Sequence, residues 1–229
     1  MDACRKLAMC AILALSTMGC SDSNHPREEP SHVSASQACG SLFPKEAARE
    51  LESLTGQAKF TEDNYAEIKR FSTGLRNSEL SPEGWEEREL CRLVAKVDAG
   101  GRTKRLIASV SFSWSDTEVA KSRRETNRKV SKGELTLYPF GMRAEADTDG
   151  AAVYFSCLED SYPKSTKVLR GDLWTLNTKL TGQAGRSARI TILNAAARKI
   201  ARQLNCLDTA NLPETFHKIS DPQRSPKNG

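Results

Sequence analysis

Cysteine is the residue type whose number and spacing in this sequence say most about chemistry. Cys39, Cys91, Cys157 and Cys206 are far apart, no two of them stand at Cys-x-x-Cys spacing, and no histidine lies near any of them. This arrangement disfavours a zinc site, which usually needs closely spaced Cys or His ligands. In an oxidising compartment, four cysteines predict two disulfide bonds.

Histidine-dependent catalysis has little support in this sequence. The three histidines are His25, His32 and His217, and a Ser or Cys nucleophile would depend on His217, close to the C-terminal end. No Gly-x-Ser-x-Gly sequence accompanies it, and zinc-protease, dinucleotide and P-loop motifs are also missing from the sequence. We therefore expect no cofactor, no metal ion and no catalytic residue, which predicts a protein that is not an enzyme.

Paired carboxylates are the remaining candidates for catalysis. Asp147 stands near Asp149, and Glu159 stands next to Asp160. Acid pairs beside a strand are typical of turns, and we favour that interpretation. The alternative is general acid–base or calcium chemistry, for which the side chains would have to be buried. A glycosidase that uses two carboxylates in one cleft is the main enzymatic alternative.

Aromatic side chains offer one further candidate for binding. Trp85, Trp114 and Trp174 could line a platform for a glycan, because an indole presents a flat apolar surface. Large aromatic residues are more often part of a core or a hairpin, and we favour that role.

The N-terminal residues have the layout of an export signal. Arg5 and Lys6 precede an apolar run from Leu7 to Leu15, which is too short to span a bilayer. Gly19 and Cys20 follow, and this site resembles the lipobox of bacterial lipoproteins, although Thr17 stands where that motif usually has Leu. The resemblance implies cleavage before Cys20 and lipidation of its sulfur. An ordinary secretory peptide is the alternative, and a core helix is disfavoured by the polar stretch that follows.

Cleavage before Cys20 would divide the chain into four parts. Residues 1–19 would be a lipoprotein signal peptide, and residues 20–37, which are polar with two prolines, predict a lipidated flexible tether. Residues 38–217 are long enough for a single α+β domain with its own core, and residues 218–229 predict a disordered tail. Loss of Arg5, Lys6 and Asp2 would lower the net charge from +5 to +4. Nucleic acid is not an expected partner of such an exported chain.

Two segments of the predicted domain have helical periodicity. Pro44 to Leu54 has Pro44 at a favourable first position and Gly56 as a C-terminal cap. Ser187 to Asn205 has one apolar face and one basic face, so we expect an amphipathic helix with the basic face in water. That basic face consists of Arg189, Arg198, Lys199 and Arg202.

Other segments have the alternation of strands. Asp98 to Gly101 forms a turn signal, so the segments on its two sides predict a hairpin, although the first also fits helical spacing. A second pair is separated by Asp160, Ser161 and Pro163, and a short strand precedes it. The predicted strands are Cys91–Val97, Leu106–Trp114, Glu134–Tyr138, Ala151–Leu158 and Val168–Leu176. The fold class is therefore α+β, an antiparallel sheet packed by two main helices.

The two hairpins resemble each other, which suggests a pseudo-duplication. In each, a cysteine-bearing strand is followed by a strand that carries Trp114 or Trp174, and coincidence of common elements is the alternative. Four cysteines allow three pairings. We favour Cys39–Cys91 and Cys157–Cys206, because each bridge would then tie a helix end to a strand across a similar length of chain.

A strongly basic segment, Lys121 to Lys132, joins the two predicted halves. We favour a solvated connection, and the alternative is a contact with anionic lipid or an anionic wall polymer.

The start of the predicted domain carries a wider family resemblance. The start of the chain resembles actinobacterial cell-envelope lipoproteins of unknown function in Gly19-Cys20, in the Ser- and Pro-rich tether and in the motif Ala38-Cys39-Gly40-Ser41-Leu42-Phe43-Pro44-Lys45-Glu46-Ala47. The likeness covers the first 60 residues or so and implies a location at the extracytoplasmic face of the cell membrane. We therefore expect a lipid-anchored binding or interaction module, whose partners would be the membrane and an envelope protein or anionic polymer. A carboxylate-pair hydrolase and a purely structural envelope component are the alternatives.

Overall fold

Eight strands form one antiparallel sheet in the computed structural model, which describes residues 32–78, 87–96, 104–115, 130, 132–157 and 168–215. The strands are β1 His32–Val33, β2 Phe60–Tyr65, β3 Arg88–Lys96, β4 Lys104–Ser115, β5 Thr136–Tyr138, β6 Arg143–Ala146, β7 Gly150–Ser156 and β8 Val168–Thr175. Their order in the sheet is β1-β2-β3-β4-β8-β7-β6-β5. Both predicted hairpins are confirmed, as β3–β4 and β7–β8.

Four helices accompany the sheet in the described residues: α1 Ala38–Ser41, α2 Lys45–Thr55, α3 Ile68–Ser78 and α4 Gly182–Gln203. The predicted helix at Pro44–Leu54 is confirmed as α2. Pro44 is its N-cap residue, and Gly56 ends it in the left-handed conformation at φ +68°, with its N–H donating to the Glu52 carbonyl. The structure therefore has the predicted α+β class, and α2 and α4 are the two main helices named from the sequence. Helix α3 is an addition to that prediction, because it has 11 residues, as α2 does.

The helices pack against one face of the sheet and build the main core there. Helix α4 packs on β6, β7 and β8, α3 contacts β3 and α4, and α2 packs against α4. Leu51 of α2, Phe112 of β4 and Leu193 of α4 are fully buried in this core. Each helix therefore buries its apolar face either on the sheet or on another helix.

Helix α4 differs from the amphipathic helix predicted over Ser187–Asn205. The prediction of a solvated basic face was wrong for Arg189, which is only 1% exposed. Arg198 and Lys199 are half-buried and donate to the carbonyls of Leu212 and Ser41, and only Arg202 is exposed. The reason is that α4 lies between the sheet, α2 and the returning C-terminal segment, so neighbours cover it on several sides.

The sheet consists of two four-stranded halves, β1–β4 and β5–β8, joined by the pairing of β4 with β8. This order is compatible with a duplication of one four-stranded unit, which stays a prediction. The two tryptophans, however, lie on opposite faces of the sheet. Trp114 pairs with the buried Leu169 and donates its indole N–H to the Leu75 carbonyl, whereas Trp174 is 55% exposed. The resemblance between the hairpins is therefore one of topology and does not extend to these side chains.

Both predicted disulfides are confirmed. Cys39 pairs with Cys91 and Cys157 with Cys206, with Cα–Cα distances of 5.7 and 5.0 Å. Cys39 precedes α2 and Cys91 is in β3, whereas Cys157 follows β7 and Cys206 follows α4. Each bridge therefore ties a helix end to a strand within one half of the sheet.

The described fold begins inside the segment predicted as a tether. Val33 pairs with Phe60, and Ala35 is fully buried. Within the described residues, no helix is long and apolar enough to cross a membrane. Several predictions concern residues that the structure does not describe: the signal peptide and Cys20, most of the tether and of the basic segment, and the tail.

Candidate functional site

The candidate site lies on the sheet face that no described helix covers, which we call the polar face. Side chains alternate between the two faces along a strand, so β8 directs Leu169 and Leu173 to the core and Arg170, Asp172 and Trp174 to the polar face. The same alternation on β6 and β7 adds Arg143, Glu145, Ala152 and Tyr154 to that face.

Strand register brings these residues into rows across the sheet. In one row, Arg143 pairs with Tyr154, which pairs with Arg170. In the next, Glu145 pairs with Ala152, which pairs with Asp172. In the third, Gly150 of β7 pairs with Trp174 of β8. We call the following residues the polar-face cluster: Arg143, Glu145, Tyr154, Arg170, Asp172 and Trp174.

Two ion pairs and one aromatic ring organise the polar-face cluster. The Arg143 guanidinium donates to Glu145 Oε2 at 2.6 and 2.9 Å, and the Arg170 guanidinium donates to Asp172 Oδ1 at 2.7 and 3.0 Å. The two guanidinium carbons lie 5.7 and 5.5 Å from the centre of the Tyr154 ring, within the range of a cation–π contact. Formal charges therefore cancel within each pair.

Burial changes the acid–base behaviour of two groups in this cluster. It raises the pKa of the Asp172 carboxyl, and the positive charge of Arg170 only partly offsets this effect. It also raises the pKa of the Tyr154 phenol, so this hydroxyl stays protonated and neutral near pH 7. Asp172 therefore takes up a proton at a higher pH than a solvated aspartate does.

A pocket of about 130 Å³ opens beside Trp174. Glu145, Arg170 and Asp172 supply polar groups to its lining, and Gly150 and Ala152 supply small ones. Trp174 is 55% exposed, whereas Tyr154 in the row farthest from it is 4% exposed. The pocket therefore adjoins a strongly exposed member of the cluster.

Of the acid pairs named from the sequence, Asp147 and Asp149 belong to a turn, which is the role that we favoured. Asp147 Oδ1 accepts hydrogen bonds from the backbone N–H groups of Asp149 and Gly150, at 3.0 and 2.8 Å, which stabilises the turn between β6 and β7. Asp147 also lines the edge of the pocket. His32 is in β1 beside Thr61. Glu159, Asp160, Trp85, His25 and His217 lie outside the described residues.

Trp114 and Trp174 differ in environment, and each fits one of the two roles that the sequence allows for tryptophan, a core residue or a binding platform. Trp114 is half-buried against α3, in the core role that we expected. Trp174 is exposed beside the pocket, which fits the platform alternative instead.

Sequence reasoning did not find Arg143, Glu145, Tyr154, Arg170 or Asp172. A signal existed on β8, where Arg170, Asp172 and Trp174 alternate with apolar or small residues. The other members come from β6 and β7, and only the register of three strands brings them together.

Among the described residues, no group of three or more His, Cys, Asp or Glu side chains has an arrangement that could hold a metal ion. The chain matches no protein-family model, and searches of the curated proteins and of the solved structures found no significant match.

Proposed function

We propose that the chain is a binding module held at the outer face of the cell membrane by a lipid on Cys20, as the resemblance to actinobacterial envelope lipoproteins implies. Two disulfides support the exported location, because such bonds persist mainly in oxidising compartments. The binding surface is the part of the polar face around Trp174. Its partner is a component of the cell envelope.

The observation that carries this proposal is the exposure of Trp174. It occupies β8, which pairs with β4 and β7 near the middle of the sheet, yet 55% of its surface is accessible. Leaving a large apolar side chain in water forgoes the free energy of its burial, about 1.5–3 kcal/mol for a side chain of this kind. An exposed aromatic group at the rim of a pocket with converging polar groups is typical of a binding site.

Replacement of the predicted lipidation residue tests the location. In the Cys20→Ser chain, we expect no incorporation of labelled palmitate and either release from the membrane fraction or stalled processing. Cys10→Ser is the matched control, because Cys10 belongs to the predicted signal peptide and its loss should leave labelling intact. A Cys20→Ser chain that stays labelled and bound to membranes contradicts the anchor.

Replacement of the exposed tryptophan tests the binding surface. The Cys20→Ser chain that is released from the membrane fraction serves as the parent, since a protein without lipid or signal peptide cannot sediment through its own anchor. Trp174→Ala should lower the fraction that sediments with isolated cell walls of the producing organism. Met142→Ala is the matched control, because Met142 is 39% exposed and lies outside the polar-face cluster. Equal sedimentation of parent and Trp174→Ala refutes this surface, and no sedimentation of the parent refutes wall binding altogether.

A hydrolase that uses two carboxylates is the second candidate, because Glu145 and Asp172 line the same pocket. They lie on strands either side of β7, so their Cα atoms are separated by about two strand spacings, roughly 9–10 Å. Burial also raises the pKa of Asp172, as general acid catalysis requires. Release of soluble fragments from cell walls by the parent, abolished in Asp172→Asn while sedimentation is retained, would favour this candidate over simple binding.

A further inference from the structure

We infer that the ligand is a neutral saccharide, with the face of one sugar ring stacked on the Trp174 indole and hydroxyl groups directed into the adjoining pocket. This inference rests on the proposed binding surface and adds the chemical class of the ligand. Three features of the polar face support it: the shape of the indole surface, the charge balance and the pocket volume.

The indole of Trp174 has a flat surface, and the two described residues that pair with Trp174 are small. Its neighbours in the row are Gly150 on β7, which has no side chain, and Ser109 on β4, which has a short one. Among the described residues, the two directly paired with Trp174 therefore leave room for a planar ligand beside the ring. The negative face of an aromatic ring attracts the partly positive C–H groups that a sugar ring presents on its apolar side.

The charges of the cluster favour a neutral ligand. Arg143 is bonded to Glu145 and Arg170 to Asp172, so an anionic polymer would meet a carboxylate beside each positive charge. A cation would likewise meet a guanidinium beside each carboxylate. In the Arg170–Asp172 pair, the bonds among the described residues join Nε and Nη2 of Arg170 to Oδ1 of Asp172, which leaves other N–H groups and the second carboxylate oxygen for a ligand. A hydroxyl group, which both donates and accepts, matches such a pair.

The pocket volume limits how much of the ligand is enclosed. About 130 Å³ is well below the roughly 300–1,000 Å³ of pockets that bury most of a drug-sized ligand. The site can therefore enclose part of one ring, while the rest of the ligand lies over Trp174 and the open sheet surface. An oligosaccharide chain meets this requirement better than a compact small molecule does.

Calorimetric titration with neutral hexasaccharides of glucose, mannose and N-acetylglucosamine tests the inference on the Cys20→Ser parent. We expect saturable binding of at least one of them, and competition by that hexasaccharide against sedimentation with cell walls. Trp174→Ala should weaken binding at least about tenfold, as truncation of a central aromatic anchor does. Ala152→Leu should weaken it as well, because it fills the pocket and leaves Trp174 in place. Met142→Ala should bind like the parent, and thermal unfolding of each variant shows that the fold is retained.

Salt dependence separates a neutral ligand from a charged one. Raising the NaCl concentration from about 50 to about 500 mM screens exposed charges and should change the affinity for a neutral saccharide less than about twofold. Sedimentation with walls that falls steeply over the same range indicates an anionic polymer and overturns the inference.

The outcomes also distinguish this inference from the proposed function. If Trp174→Ala lowers sedimentation with walls but no hexasaccharide binds or competes, the binding surface stands and the saccharide inference is overturned. If protease treatment of the walls abolishes sedimentation, the partner is a protein and the inference is again overturned. If hexasaccharides bind equally to the parent, Trp174→Ala and Ala152→Leu, the assigned site is wrong.

Discussion

Removing the disulfides one at a time should destabilise the protein by nearly equal amounts. The paired variants are Cys39→Ala with Cys91→Ala and Cys157→Ala with Cys206→Ala. The bridges span 52 and 49 residues, and the chain-entropy relation for loops of this length corresponds to about 4 kcal/mol each at 25 °C. All four cysteines are at most 6% exposed, and each replacement by alanine removes only one sulfur atom, so the gaps left in the packing should be small.

Urea unfolding followed by tryptophan fluorescence measures the effect, with the Cys20→Ser chain as the parent. A protein of this size unfolds with a urea dependence of about 2 kcal/mol per molar, so each variant should lose about 2 M from its midpoint. Each single Cys→Ala variant is a control that breaks the same bridge and leaves one unpaired thiol.

Two results would refute this reasoning. One is a loss of less than about 1 kcal/mol for either pair, which would mean that the bridge does not constrain the unfolded chain as assumed. The other is non-reducing peptide mapping that recovers a different pairing, or a free thiol among the four cysteines of the parent.

Two further predictions concern buried charged groups. Arg189 donates to Thr175 Oγ1, Thr178 Oγ1 and the Asp147 carbonyl, so Arg189→Met should lower the free energy of unfolding by about 1–3 kcal/mol through the unsatisfied carbonyl. Arg189→Lys should lower it more, because a buried ammonium cannot reach all three acceptors; a lysine variant as stable as the parent in urea contradicts this. In the folded state, burial raises the pKa of Asp172 above its unfolded value of about 3.9. The protonated carboxyl therefore contributes to stability below the unfolded pKa, and this contribution is lost as pH rises through the folded pKa. The stability of the parent relative to Asp172→Asn should therefore fall as pH rises through that window in urea titrations, and a rise would disprove the assignment.

Much of the fold could be predicted from the sequence because its signals are local. Pro44 and Gly56 mark the ends of α2, the alternation around Val110 and Leu173 indicates strands, and the cysteine spacing favours the observed pairing. Helix α3 was missed, although Phe71 and Leu75 have the four-residue spacing of an apolar helix face. Strands β1, β2 and β6 were missed as well, since they are short or rich in polar and charged residues.

The candidate site could be predicted only in small part. Trp174 was named only in the disfavoured alternative of an aromatic platform, and the positions of Glu145 and Tyr154 on the same face depend on the register of β6, β7 and β8. A slip of one residue in any of these strands would send its side chains to the other face. Arg189 was misjudged for a related reason. Helical periodicity separates polar from apolar positions, but it does not tell which neighbours will cover the polar ones.

Neither disulfide crosses the boundary between the two halves of the sheet. The two halves are therefore joined covalently by the backbone between β4 and β5. This connection includes the basic segment Lys121–Lys132. A single cut in that connection would produce two fragments, each closed by its own bridge. They would be held together by the ladder from Ala108–Thr175 to Ser115–Val168 and by the packing of α2 on α4. The protein is therefore suited to fragment complementation, in which separately oxidised halves associate and restore one continuous sheet.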